Sequence, residues 1–349
     1  GNVGRYDDAI RLAEQHQLGL PAAQTVIPGK LKQAGYACGV FGKWHLGYEP
    51  HFNPLAHGWD EFCGYLGGNV HYFDHRELSD LDVLFRGRSP ITRKGYMTHL
   101  ITEASVEFVK KHQGRPFFLF VSHESPHFPF QGPGDQDKQI TEENWTERNA
   151  KAYVAMLEDL DAEVGRLLKA VDDCGLARKT VVVFVSDNGG FDGAAHMGPL
   201  SGAKSTTWEG GIRVPLIVRW PGVIPAGSTS HQVSVTFDLT RSFLSLAGGE
   251  VPADRLDGFD ILGHVKEEKD DFDRTLFWRG KRGERTWSAV RHGDMKLVRK
   301  QEGQDVQRWL FDLSSDISES RNLLDSQPAT AKQLQAKLSQ WEKSMRPSR

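Results

Sequence analysis

The sequence has 349 residues, with 43 lysines and arginines against 46 aspartates and glutamates and a formal net charge of -3. That length supports a sizeable core, arranged as one large domain with a smaller one or as two modest ones. The near-balance of charge removes any bulk reason to expect nucleic-acid or anionic-membrane binding, so an anion site has to be built locally.

Along the chain, the polar opening GNVGRYDDAIRLAEQHQLG does not read as a signal peptide. No apolar run approaches the roughly 20 residues needed to span a bilayer. A helix is expected over residues 23–34, then a strand over 36–41, a helix over 96–112, and a strand over 116–122 (PFFLFVS). A long helix is expected over 147–174, with its apolar stripe through Val154, Leu157, Leu160, Val164, Leu167 and Leu168. Strands over 180–186 (TVVVFVS) and 214–220 (VPLIVRW) follow. Their β-branched and aromatic runs, without polar alternation, suit strands covered on both faces. This alternation of strand and helix implies an α/β sheet with helices on both sides. Residues 233–247 read as a strand end and one more helix, and the charged KEEKDDFDR marks a shift in composition. Beyond it, TLFWRG, TWSAVRHGDMKLVRK and WLFDL read as antiparallel strands joined by turns containing Gly and Asp, before a helix over 330–345. The expected division is therefore a main domain over 1–272 and a small subdomain over 273–349.

Cys38, Cys63 and Cys174 are odd in number and widely spaced, without a CxxC pair, and read as buried thiols rather than as disulfides or a zinc cluster. Asn144-Trp145-Thr146 fits a glycosylation sequon, a triplet that occurs by chance too often to decide anything.

The chemistry-bearing residues fall just after strands. Residues 36–41 run into Gly42-Lys43-Trp44-His45, PFFLFVS runs into His123-Glu124-Ser125-Pro126-His127, and TVVVFVS runs into Asp187-Asn188-Gly189-Gly190. Ligands of open α/β sheets bind outside the carboxyl ends of the strands, so three strands deliver Lys, His and Asp-Asn to one edge. Asp187 and Asn188 carry hard oxygen ligands suited to Ca²⁺ or Mg²⁺, although Asp-Asn-Gly-Gly also reads as an ordinary turn. A lone loop Lys or His is usually structural. Two histidines and a lysine gathered beside a candidate metal pair point to a site. Oxyacid ester cleavage needs such a set: cations on the non-bridging oxygens, a divalent metal, and a proton donor for the leaving alkoxide.

These blocks resemble the sulfatase family of the alkaline phosphatase superfamily. Gly42-Lys43-Trp44-His45-Leu46-Gly47 is similar to one of its signatures, and His57-Gly58-Trp59-Asp60-Glu61-Phe62 follows it. Pro126-His127-Phe128-Pro129, Ser186-Asp187-Asn188-Gly189 and the stretch from Gly198 through Lys204 to Trp208-Glu209-Gly210-Gly211-Ile212-Arg213-Val214-Pro215 come next in the family's order. The resemblance spans about residues 24–325 and implies an alkaline-phosphatase-like α/β/α sandwich with a mixed central sheet and a small C-terminal α+β subdomain. It implies that Asp187 and Asn188 bind a divalent cation, usually Ca²⁺. Lys43 and Lys204 would contact sulfate, His127 would contact it and assist the leaving group, and His45 would serve turnover of the nucleophile. His196 reads equally as a further sulfate contact or as a loop histidine with a local hydrogen bond. The tract 67–75 (GGNVHYFDH) reads as either a substrate mouth or a surface loop. The resemblance also implies a periplasmic, secreted or lysosomal setting and a formylglycine-generating or sulfatase-maturing enzyme as partner.

One departure stands out. The family's formylglycine arises from a Cys-x-Pro-x-Arg type stretch, and none of Cys38, Cys63 or Cys174 is followed by Pro and Arg. An Asp-Asp pair that completes the metal site is also expected after a first strand. Asp7-Asp8 follows no strand-like run and is rejected for that role. The expectation is a sulfuric ester hydrolase truncated before its nucleophile, with negligible turnover in these 349 residues. The competing readings are a non-catalytic oxyanion- or sulfated-glycan-binding remnant and a phosphoester hydrolase on the same scaffold.

Overall fold

The computed structural model describes residues 19–21, 27–78, 84–248 and 256–345. Asp7-Asp8 and the first turn of the helix expected over 23–34 lie outside the described residues. Helix α1 (Ile27–Gln33) leads into strand β1 (Ala37–Lys43), the spine of the molecule. β1 pairs in parallel with both β2 (Glu61–Tyr65) and β5 (Phe117–Ser122). The short β3 (Leu84–Arg86) and β4 (Ser89–Pro90) extend the other side antiparallel, giving the order β4-β3-β2-β1-β5. Side chains alternate across β1, so its run feeds two cores. Ala37 and Phe41 pack with helix α2 (Met97–His112) and with Ala152 and Met156 of helix α3 (Ala150–Asp173). Cys38 and Val40 pack with Leu31, Trp59 and Leu244, the last from helix α5 (Thr236–Leu246). Helices thus cover both faces of β1.

The second sheet differs from expectation. β6 (Val182–Val185) and β7 (Leu216–Arg219) form an antiparallel pair of their own, with the one-turn helix α4 (Glu209–Ile212) between them in sequence. Coverage on both faces holds for β1 but not for β5 at the edge of the first sheet or for β7: Phe120 is 49% exposed and Ile217 59%. Among the described residues both lie at sheet edges, β5 pairing only with β1, and β7 only with β6. The buried side of α3 is also rotated from the expected stripe. It runs through Ala152, Met156, Leu160, Glu163 and Ala170, whereas Val154 and Leu157 are exposed. The strand end expected near residue 233 does not form, and the chain enters α5 from extended backbone at Val235. Cys38 and Cys63 are buried free thiols, and Cys174 is half-buried rather than buried.

Helix α6 (Ile261–Lys266) packs with α5, β6 and β7. The chain then builds a four-stranded antiparallel sheet, β8 (Thr275–Arg282), β9 (Arg285–His292), β10 (Met295–Glu302) and β11 (Asp305–Asp312). Each two-residue hairpin opens with a glycine at positive φ: Gly283 at 56°, Gly293 at 57° and Gly303 at 58°. That is the first central position of a turn whose twist matches the strands. Alternation again divides the sheet. Phe277, Val290, Leu297 and Leu310 pack under helix α7 (Pro328–Ser344), while Trp278, Ala289, Val298, Trp309 and Phe311 gather on the opposite face around Trp208.

Candidate functional site

Lys43 closes β1, where the backbone must pass two neighbours at close quarters. A side chain on Gly42 would strike the Ser122 carbonyl of β5, and one on Gly64 of β2 would strike the Gly42 carbonyl. Gly42 also takes φ 111°, open to glycine at little cost. Beyond it the chain is pinned to β2 by Trp44 N–H to Tyr65 O at 2.9 Å and His45 N–H to Leu66 O at 3.0 Å. The Trp44 indole donates to Phe52 O at 2.8 Å. His45 itself is left-handed, with φ 55°, a conformation that non-glycine residues hold chiefly where their surroundings impose it. Its ring lies against Gly68, where any Cβ would meet the imidazole.

β5 delivers the second group. His123, Glu124 and Ser125 turn inward, and cis peptide bonds precede both Pro126 and Pro129 around His127. Glu124 is buried, with Oε1 accepting the Val70 N–H at 2.7 Å. The Tyr65 hydroxyl lies against this carboxyl in the interior, while His123 Nδ1 is buried without a partner among the described residues. Burial pushes the Glu124 carboxyl well above the usual carboxylate range, against the opposing Val70 N–H and the Lys43 charge. His127 Nδ1 lies 2.8 Å from its neighbour's carbonyl, Phe128 O.

β6 delivers the third. After Asp187-Asn188 the chain turns through Gly189 and Gly190, and the segment 201–211 is laid directly on that turn. Gly189 N–H donates to Gly211 O at 3.0 Å, Lys204 N–H to Gly190 O at 3.0 Å, and Gly210 N–H to Ser201 O at 2.8 Å. These contacts bring Lys204, distant in sequence, to the edge where β1 and β5 end.

The charges of these groups act on one another. Burial lowers the pKa of Lys43, with Glu124 and Asp187 opposing. It also lowers that of Lys204, where Asp187 opposes and Lys43 and Arg282 add to the effect. Burial, then the charges of Lys43 and Lys204, takes His45 down to about 4. Burial, then Lys204 and Lys43, takes His127 down to about 3. The imidazoles are therefore neutral near pH 7, one nitrogen of each bearing a proton and the other able to accept one. Two ammonium groups thus lie close enough to two neutral imidazoles to shift their titration.

The structure thus brings Lys43, His45, His127, Asp187 and Lys204 into one neighbourhood. His196 is exposed, and its Nδ1 accepts the Gly198 N–H at 3.1 Å. Within the tract 67–75, His71, Tyr72 and His75 are buried and Asp74 is exposed. His71 Nδ1 accepts the N–H groups of Phe73 and Asp74 at 3.2 and 3.0 Å, and His75 Nε2 bonds to Gly95 O at 2.9 Å. His71 and Asp74 nonetheless reach the wall of a cleft of about 280 Å³ that is completed by residues 136–141. Sequence reasoning passed over Glu124 and Arg282. Glu124 stands between residues already singled out, but only its tertiary burial distinguishes it from a solvated acid.

For a metal, the test is the donor set. The Asp187 carboxylate takes part in no hydrogen bond or ion pair among the described residues. Asn188 uses only its Nδ2, donating to Gly189 O at 3.0 Å, which leaves Oδ1 available. Both oxygens fit part of the shell of a hard cation, which takes six to eight. Among the described residues, no group of three or more His, Cys, Asp or Glu side chains is placed to hold a metal ion.

The order and spacing of these groups match a known pattern. The sulfatase family model matches residues 4–249. The chain belongs to the sulfatase family. The model for the C-terminal region of N-sulphoglucosamine sulphohydrolase matches residues 203–346. The sequence is 35% identical to N-acetylgalactosamine-6-sulfatase of Mus musculus over 282 residues, covering 74% of this chain and 52% of that protein. It is 30% identical to arylsulfatase A of Bos taurus over 367 residues, covering 88% and 68%. The chain spans about half the length of the N-acetylgalactosamine-6-sulfatases it matches. Among solved structures, Ps i-CgsB in complex with k-i-k-neocarrahexaose superposes with a TM-score of 0.82 at 28% identity, covering 93% of this chain and 75% of that one. The sulfatase fold, with its mixed sheet and C-terminal antiparallel sheet, is the one expected from the sequence.

Proposed function

We propose that this sulfatase-family chain forms the oxyanion-binding part of a hydrolase for sulfate esters of carbohydrates. The observation that carries the reading is the meeting of Lys43 and Lys204 with His45 and His127 at one sheet edge. The carbohydrate preference is supported by the names of relatives: an N-acetylgalactosamine-6-sulfatase at 35% identity and the Ps i-CgsB complex with k-i-k-neocarrahexaose at 28%. The division of the chain near residue 273, and an exported or lysosomal setting, belong to the same proposal. Among the described residues, no helix is long and apolar enough to cross a membrane.

In this reading the two ammonium groups hold the non-bridging sulfate oxygens, with their positive charge fixed in place before the ester arrives. His127 protonates the departing sugar oxygen. Its low pKa makes the protonated form a strong acid, and the bound anion supplies the charge that lets it take up that proton. His45, whose neutral imidazole can accept a proton, would serve turnover of the nucleophile. Asp187 Oδ and Asn188 Oδ1 would hold a divalent cation, proposed as Ca²⁺ with Mg²⁺ as the substitute, which supplies Lewis-acid polarisation when bound. The formylglycine nucleophile of the family, installed by a maturing enzyme, has no precursor stretch in these 349 residues, so they hold the ester without cleaving it.

Calorimetric titration of the purified chain with an aryl sulfate and the matching aryl phosphate, with and without Ca²⁺, tests the proposal. Sulfate binding that weakens in Lys43→Ala and Lys204→Ala supports it. Preference for phosphate, indifference to both substitutions, or sulfate release by this chain would overturn it.

A further inference from the structure

A buried lysine ties the C-terminal sheet to the loop that carries Lys204. Lys296, in β10, is fully shielded from solvent. Its Nζ stands 2.7 Å from Glu209 Oε1 and 2.8 Å from Glu319 Oε1. Glu209 opens α4, and its backbone N–H donates to the second oxygen of Glu319 at 2.7 Å. Glu319 therefore grips the lysine with one oxygen and the α4 backbone with the other, from a left-handed conformation at φ 53°. One residue earlier, Ser318 O accepts the Ser201 hydroxyl at 2.6 Å. The segment 201–209 is thus fastened to the C-terminal region at both ends, with Lys204 between the fastenings. The loop 201–211 rests on the turn that follows Asp187-Asn188 through Lys204 N–H to Gly190 O at 3.0 Å and Gly189 N–H to Gly211 O at 3.0 Å.

Filling a dry slot with an ammonium is costly, and an apolar side chain of similar volume commonly serves stability as well or better. What the lysine adds is direction, because two fixed carboxylates admit only one seating of the loop on the sheet. Arg213, 3.3 Å from the other oxygen of Glu209, helps to balance the pair of acids. We infer that Lys296 is a positioning residue of the oxyanion site: by holding Glu209 and Glu319 together it sets where the 201–211 loop presents Lys204 to the anion. This rests on the reading of Lys204 as an anion contact, and the experiment separates the two.

The test is Lys296→Met, which keeps a long unbranched side chain, one atom shorter, and removes the charge. Hydrogen exchange should leave the amides of β1 and β5 protected while those of Gly189 and Lys204 exchange about tenfold faster or more, the mark of local rather than global loosening. Inorganic sulfate, titrated calorimetrically well below the melting temperature, should bind about tenfold more weakly, in line with the sensitivity of a preorganised site to small misplacements. Unchanged exchange at Gly189 and Lys204, or unchanged sulfate affinity in a wild type that binds sulfate, would overturn the inference. If Lys296→Met fails to fold, Glu319→Gln keeps the Lys296 to Glu209 pair, and it should reproduce the local exchange to a smaller degree; no change there overturns the inference as well. A wild type that does not bind sulfate sinks the reading of Lys204 instead, and the exchange measurement alone then decides whether Lys296 positions the loop.

Discussion

Tyr72 donates its hydroxyl hydrogen to the backbone oxygen of His127 across 3.1 Å, while its backbone N–H donates to Gln131 Oε1 at 3.0 Å. One fully buried tyrosine thereby clasps both sides of the loop between β5 and α3. Tyr72→Phe keeps the ring stacked on Tyr96 but leaves the His127 carbonyl without its donor. We expect a loss of about 1 kcal/mol, the usual net worth of such a bond, in chemical denaturation, together with weaker sulfate binding. Full retention of both would mean that the loop holds its shape without the clasp.

Glu124 gives a sharper contrast between two substitutions. Glu124→Ala strands the buried Val70 N–H and should cost about 1–3 kcal/mol. Glu124→Gln keeps an acceptor at the same place and should cost clearly less. Equal losses in urea denaturation would show that the Val70 contact is not what Glu124 contributes.

The depressed histidines set a pH dependence. Burial holds His123 at about 4, and burial with the Lys204 and Lys43 charges holds His127 at about 3, against 6.5 in the unfolded chain. Between these limits the unfolded state binds protons that the folded state refuses, so stability is full above about pH 6.5 and falls as the pH drops towards 4. At pH 5 unfolding should take up about two protons from this pair. Melting temperatures measured across pH 4.5–7.5 check the sign, and a flat profile would contradict it.

Arg274 and Asp238 form a further buried charge contact. Nη1 and Nη2 reach the two carboxylate oxygens at 2.6 and 3.0 Å, joining α5 to the entrance of β8. Because Asp238 is fully buried, Arg274→Ala strands a carboxylate and should cost about 3–5 kcal/mol. The double variant Arg274→Met with Asp238→Leu should recover much of that loss.

Parts of this architecture were open to reading from residue order. The runs ACGVFGK, FFLFVS and LIVR mark strands because nothing polar interrupts them, and the ends of β1, β5 and β6 mark the site because polar residues crowd there. β2 escaped notice, since EFCGY follows a glycine turn and holds a glycine of its own, and β3 and β4 are too short to carry a period. The lone antiparallel pairing of β6 with β7 depends on partners rather than on the pair's own residues, so its apolar runs gave no warning of exposure. Lys204 could be placed only through family resemblance, because its approach to Lys43 depends on backbone contacts with Gly190. Glu124 and Lys296 look like solvated residues in sequence, and burial alone reveals them.

The three glycine turns of the C-terminal sheet carry a consequence for the order of assembly. Every strand there meets its neighbour across two residues, so its registers can close early and locally, whereas β1 must find β5 after the intervening chain has been brought round. On that order, the loop bearing Lys204 would dock on a C-terminal sheet already formed. A chain arrested in refolding should then hold its hairpins while binding no sulfate.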